Sequence, residues 1–135
     1  MKLDLKEIQQ INLFENITGS KVKNCYLEED KMVFIVEENN VKRALGVNNS
    51  NIKKLQNLFK KKIKIIGFSS DLVKFINNLL YPIKPENIEN KDDIVYITAK
   101  DNFIKGKIYG RGKENLKKIK ETVSKYFKIK DIIIQ

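Results

Sequence analysis

One stretch of this chain occurs twice. Gly46-Val47-Asn48-Asn49-Ser50-Asn51-Ile52-Lys53-Lys54-Leu55 aligns without a gap on Gly110-Arg111-Gly112-Lys113-Glu114-Asn115-Leu116-Lys117-Lys118-Ile119, 64 residues further on. Upstream, Met32-Val33-Phe34-Ile35-Val36 matches Ile94-Val95-Tyr96-Ile97-Thr98 at an offset of 62, which implies a two-residue insertion in between. Downstream, the β-branched runs Ile63-Lys64-Ile65-Ile66 and Ile132-Ile133-Ile134 hold similar places. Two copies are too few for a solenoid, which needs at least three stacked repeats to bury a core. Duplication of a small domain accounts for them, so the 135 residues are read as two tandem domains, 1–70 and 71–135.

Apolar spacing orders the elements inside each copy. Leu5, Ile8, Ile11, Phe14 and Ile17 recur at helical spacing behind the capping-box pattern Asp4-Leu5-Lys6-Glu7, and Gly19 is positioned to end that helix. Val22 to Leu27 and Met32 to Glu37 read as a strand pair around the polar turn Glu28-Glu29-Asp30. A short helix from about Val41 breaks at Gly46. A second starts near Ser50 with Ile52, Leu55, Leu58 and Phe59 on one face, and a strand follows at Ile63 to Phe68. Asp71 can cap the next helix, where Leu72, Phe75, Ile76, Leu79 and Leu80 recur at i, i+3, i+4, i+7 and i+8. Pro82 and Pro85 end it and are read as the break between the copies. Then the order repeats: strands near Glu86 to Asn90 and Ile94 to Thr98, a helix to Gly110, a helix holding Leu116, Ile119, Val123, Tyr126 and Phe127, and a strand from Asp131 to Ile134. Each copy is helix–strand–strand–helix–helix–strand, an α+β arrangement with a small sheet packed on helices.

The charge follows the repeat. The chain carries +10 at pH 7. The window Val41–Lys64 holds eight Lys and Arg and no acid, for +8, and Lys100–Lys120 holds eight against Asp101 and Glu114, for +6, which leaves −4 for the rest. Both positive windows fall on the duplicated helix–Gly–helix segment. Arg43 and Arg111 are the only arginines. Lysines bind phosphate as point charges and are poorly suited to bidentate reading of base edges, so backbone or shape recognition of a polyanion is favoured over duplex sequence reading.

Residue supply argues against an enzyme. There is no histidine and one cysteine, Cys25, so transition-metal sites and histidine-based catalysis lack their usual groups. Gly112-Lys113 lacks the glycine five residues before and the Ser or Thr after that a phosphate-binding P-loop needs, since Lys107 and Glu114 stand there. Gly110 and Gly112 lack the third glycine of a dinucleotide fingerprint, Asn115 occupying its place. Asp92-Asp93 and Glu28-Glu29-Asp30 are hairpin-turn charges rather than a carboxylate pair. No cofactor and no small-molecule substrate are expected. A lone cysteine cannot form an internal disulfide and fits a reducing cytoplasm. No apolar run approaches the ~18 residues of a membrane span, and Met1-Lys2-Leu3-Asp4 lacks a signal-peptide pattern.

The segment with chemistry is a helix, a tight glycine-bearing turn, and a second helix that opens on polar residues and then Lys-Lys. A helix N-terminus offers unpaired N–H groups and the positive end of its dipole, which suits a phosphate. Glycine brings the backbone close to that phosphate and admits positive φ. The candidate nucleic-acid contacts are Lys42, Arg43, Gly46, Val47, Asn48, Asn49, Lys53 and Lys54 in the first copy. In the second they are Lys107, Gly110, Arg111, Gly112, Lys113, Lys117 and Lys118.

With these residues the sequence resembles the KH family in its type II form, with its helix–Gly-x-x-Gly–helix unit. More closely, it resembles the short archaeal NusA-like transcription factors, which are little more than two tandem KH domains. The residues that carry this are Leu13-Phe14-Glu15-Asn16-Ile17-Thr18-Gly19 with Val22 and Cys25, Ala44-Leu45-Gly46 with Asn51-Ile52-Lys53-Lys54-Leu55, and Lys105-Gly106 and Tyr109-Gly110-Arg111-Gly112 with Asn115-Leu116-Lys117-Lys118. The resemblance implies a protein that binds single-stranded RNA and acts with RNA polymerase in termination or elongation control. It also implies that the further domains of longer bacterial relatives are absent. The family loop ends in glycine; here Asn49 and Lys113 stand in the fourth position, and apolar Val47 replaces a basic or small polar residue. Asn tolerates the left-handed conformation, Lys less well; Arg111 and Lys113 nevertheless make the second loop the better expected phosphate cradle. Eroded loops leave two other readings open: an adaptor whose basic faces meet acidic protein surfaces, or a ribosome-associated KH protein. Tyr109, next to the second loop, reads as a packed helix-end aromatic before a base-stacking one.

Overall fold

The computed structural model describes residues 5–135. Asp4, the first residue of the expected capping box, lies outside them. The chain divides into two compact units, Met1–Ser69 and Ser70–Gln135.

The first unit runs α1 (Leu5–Thr18), β1 (Val22–Glu28), β2 (Lys31–Glu37), α2 (Val41–Leu45), α3 (Ser50–Phe59) and β3 (Lys62–Phe68). β1 and β2 are joined by a short turn and pair antiparallel, Cys25 opposite Phe34. β2 and β3 pair parallel, Phe34 beside Ile65. A parallel pair needs a crossover of a dozen residues or more, and the two helices α2 and α3 supply it. The sheet order is β1-β2-β3, so the glycine-bearing helix pair is topologically fixed to the crossover between the central strand and one edge.

Phe14, Met32, Phe34, Val36, Ala44, Leu55 and Ile63 form one buried cluster, drawn from α1, β2, α2, α3 and β3. Phe14 and Phe34 stack with ring centroids 4.2 Å apart. Three expected core positions differ. Leu5 and Ile8 are exposed, so α1 buries residues only in its second half, at Phe14 and Thr18. Leu58 is 55% exposed. At 100° per residue it lies about 60° to one side of Leu55 while Ile52 and Phe59 lie about 60° and 40° to the other, and the sheet meets that other side.

Cys25, on β1, sits half-buried against this cluster. Burial, with a smaller contribution from Glu7, pushes its thiol from 9.0 up to about 11. The neutral thiol is thus the form the fold favours; its contribution to stability is present below pH 9.0 and is lost as the pH rises towards 11. Alkylation by iodoacetamide is expected to be slow at pH 8 and to accelerate up to about pH 11, because the thiolate is the nucleophile. A rate that levels off near pH 9 in the folded protein would contradict the burial.

The second unit repeats the order: α4 (Leu72–Leu80), β4 (Asn87–Lys91), β5 (Ile94–Thr98), α5 (Asn102–Tyr109), α6 (Glu114–Tyr126) and β6 (Asp131–Ile134). β4 and β5 are antiparallel, β5 and β6 parallel, in the order β4-β5-β6. Asp71 caps α4 by accepting from the Val73 N–H at 3.1 Å. Asp101 does the same for α5, from the Ile104 N–H at 2.9 Å. Phe75 meets Tyr126 edge-on at 6.1 Å and Phe127 at 5.8 Å. Pro82 and Pro85 fall between α4 and β4, inside this unit, so they are not the break between the copies. The helix they end is the first element of the second copy. Each unit is a three-stranded sheet packed on helices, α+β and compatible with KH-like domains. No helix among the described residues is long and apolar enough to cross a membrane.

Candidate nucleic-acid interface

The two loops are built alike. α2 closes with the Gly46 N–H on the Lys42 carbonyl at 3.1 Å, and α5 with the Gly110 N–H on the Gly106 carbonyl at 3.0 Å. Gly46 then takes φ 78° and ψ 170°, Gly110 φ 71° and ψ 176°. Third and fourth residues are left-handed in both: Asn48 at φ 54° and Asn49 at 59°, Gly112 at 61° and Lys113 at 61°. The fourth N–H returns to the first carbonyl, Asn49 to Gly46 at 3.2 Å and Lys113 to Gly110 at 3.1 Å. The fourth position thus takes the same left-handed conformation in both loops although neither residue there is glycine. A non-glycine residue held left-handed costs roughly 1–2 kcal/mol, and in the second loop Lys113 bears that cost.

Sequence reasoning missed what locks the turn. The Asn51 side-chain amide donates to the Arg43 carbonyl at 3.1 Å, and the Asn115 amide to the Ile108 carbonyl at 3.1 Å. Each ties the start of the second helix to the last turn of the first. Their only sequence signal was recurrence at the same place in both copies. This tight closure also explains the first glycine: a Cβ on Gly46 would stand 2.7 Å from Ser50 Oγ, and one on Gly110 2.5 Å from Asn115 Cβ.

Neither α3 nor α6 receives a side-chain cap from the residue before it, Asn49 or Lys113. The Ser50 N–H is taken up by the Val47 carbonyl and the Glu114 N–H by the Arg111 carbonyl, so what each helix end offers an anion is chiefly the positive end of its dipole. The local fields differ. α3 has no acidic residue in its first turn, whereas α6 opens on Glu114, which takes up part of its dipole. Arg111 and Lys113 counter Glu114 with two exposed cations, and Lys113 Nζ lies 5.5 Å from the centroid of the half-buried Tyr109 ring.

Lys42, Arg43, Val47, Asn48 and Asn49 are exposed or half-buried in the first unit, and Lys107, Arg111, Gly112 and Lys113 are exposed in the second. Val47 is 81% exposed, an apolar side chain at the tip of the loop. Lys53 and Lys54 sit about 160° and 100° around α3 from buried Leu55, and Lys117 and Lys118 sit equivalently around α6 from Ile119. Leu55, Leu116 and Ile119 are core.

Not all of the positive charge belongs to the loops. Lys60, Lys61 and Lys62 lie at the far end of α3, around a shallow depression shared with Asp30 and Gln56, and Lys62 Nζ is 3.9 Å from Asp30. Ten residues make α3 about 15 Å long, so the +8 window is two patches rather than one. In the second unit Lys120 pairs with Asp131 at 2.8 Å, and that hydrogen bond holds the Asp131 carboxyl below its usual range.

No family model matches the sequence. The chain is similar to a protein of Methanococcus vannielii described as a probable transcription termination protein NusA, 34% identical over 84% of this chain and 68% of that relative. A protein of the same description from Methanocaldococcus jannaschii is 30% identical over 98% of this chain and 74% of its own. Another, from Thermoplasma acidophilum, is 28% identical over 98% and 94%. Among solved structures, the crystal structure of APE1850 aligns with a TM-score of 0.69 and 29% identity, over 98% of this chain and 100% of that one.

Proposed function

The chain belongs to the archaeal NusA family of transcription termination proteins, and on that footing we propose that it binds single-stranded RNA as two tandem type II KH domains. In this reading it acts with RNA polymerase in termination or elongation control, and it is assigned no reaction and no cofactor. RNA backbone is held at the Gly46–Asn49 and Gly110–Lys113 loops, with Lys53, Lys54, Lys117 and Lys118 beside them. The observation that carries the reading is the pair of matching loops. Asn49 and Lys113 both take the left-handed backbone that a glycine would supply there, which supports this reading over the adaptor or ribosomal role that eroded loops would favour. The parallel outer strand in each sheet and the helix pair in its crossover also fit the type II order.

Titration with single-stranded RNA, single-stranded DNA and duplex RNA at several salt concentrations tests it. Single-stranded RNA is expected to bind best, with a log–log salt slope of about −0.7 per phosphate contacted. The Arg111→Asp/Lys113→Asp double variant is expected to bind about 10- to 100-fold more weakly and to lose about 1.4 from the magnitude of that slope. Unchanged affinity in the variant removes the second loop from the site. No RNA binding at low salt overturns the reading and turns it towards the adaptor.

A further inference from the structure

Among the described residues, Phe103 is the aromatic ring most out of place. It is 69% exposed, on the second residue of α5, in a chain that buries Phe14, Phe34 and Phe75 completely. Leaving so large an apolar side chain in water forgoes about 1.5–3 kcal/mol of burial. Its surroundings are not those of a core edge. Residues 103, 106, 107 and 110 are spaced i, i+3, i+4 and i+7, which sets them on one face of α5 leading to the glycine loop. On that face Lys107 Nζ lies 4.7 Å from the centroid of the Phe103 ring. Gly106, between ring and loop, is exposed, and a Cβ added to it would meet nothing within 4 Å. The face is therefore a flat, open path about 10 Å long, with the aromatic at one end, Lys107 along it, and Arg111 and Lys113 at the other.

We propose that Phe103 is a base-stacking platform for the RNA strand whose backbone is held at the Gly110–Lys113 loop. The inference rests on the reading of that loop as an RNA site and extends it to a residue outside the loop. An exposed ring offers a π-face that every base can stack on. Lys107 against the ring, with Arg111 and Lys113 at the far end of the path, selects a polyanion over an apolar protein surface. The site belongs to the second unit alone: at the 64-residue offset the first unit has Asn39 in place of Phe103 and Lys42 in place of Gly106, so its path has neither the ring nor the open floor.

The chain has no tryptophan, which makes Phe103→Trp a single-tryptophan reporter, excited to the red of the five tyrosines. With a short oligoadenylate RNA as probe, Phe103→Ala and Phe103→Leu are both expected to lose about 5- to 150-fold in affinity. Phe103→Trp is expected to keep wild-type affinity and to have its emission quenched on saturation. Loss in the leucine variant, which keeps apolar bulk but no π-face, together with rescue by tryptophan, separates stacking from a packing role. Wild-type affinity in the alanine and leucine variants, or unquenched indole emission from Phe103→Trp at saturation, overturns the platform and leaves the loop reading standing. A wild-type protein that binds no oligoadenylate at low salt, while binding no other RNA either, overturns both.

Discussion

Gly110→Ala is expected to destabilise the second unit by about 2–5 kcal/mol. Two terms add. The residue sits at φ 71°, where a side chain costs roughly 1–2 kcal/mol. A Cβ would also stand 2.5 Å from Asn115 Cβ and 3.1 Å from the Asn115 backbone N, atoms that cannot swing aside without moving the start of α6. Overpacking of that kind costs about 1–3 kcal/mol more. Gly46→Ala meets side-chain atoms instead, Ser50 Oγ and the Asn51 amide, which can shift without moving the helix backbone, at the cost of the Asn51–Arg43 hydrogen bond, so a smaller loss of about 1–3 kcal/mol is expected. Gly112 has φ 61° and open space around it, so its alanine variant should lose only about 1–2 kcal/mol. Guanidinium denaturation, with the midpoint falling and the slope unchanged, checks the order Gly110, Gly46, Gly112. Equal losses at Gly110 and Gly112 would show that backbone conformation alone, and not the closeness of the two helices, requires the first glycine.

Phe14→Ala is expected to cost the first unit about 3–5 kcal/mol, the range for a large aromatic truncated in a core. The ring is fully buried, stacks on Phe34 at 4.2 Å and belongs to the cluster that joins α1 to β2, α2, α3 and β3. A unit of this size has roughly 3–10 kcal/mol of stability in total, so the variant is at the edge of unfolding. Phe14→Leu, which keeps most of the volume, is expected to lose much less, and amide protection in β1–β3 reads both. Strong protection retained in Phe14→Ala would mean that α1 is peripheral to the fold.

Much of this was legible in the chain itself. Element order, the Asp71 cap, the break at Gly46 and the strand limits depend on local periodicity and on breakers, and those are written residue by residue. The duplication was legible because both copies keep glycine, asparagine and paired lysines at one spacing. Less legible was which apolar residues the sheet covers. Leu58 fits the helical stripe as well as Phe59 does, and only the position of the sheet separates them. Pro82 and Pro85 were good helix breakers but poor domain markers, because a breaker reports where a helix ends and not to which unit it belongs. Lys60 to Lys62 and Lys53 to Lys54 share one window of charge, yet they lie towards opposite ends of a helix about 15 Å long.

The family, the α+β order of each copy and the location of the positive charge were determined by sequence, since each depends on residue type and spacing alone. The tertiary structure decided that Asn49 and Lys113 both hold left-handed backbone, that Asn51 and Asn115 lock the turns, and that Phe103 remains in solvent. Those outcomes rest on backbone dihedrals and on how closely two elements approach in space, even where, as at the two turns, the bonded groups are only seven and eight residues apart, and residue spacing alone does not encode that distance.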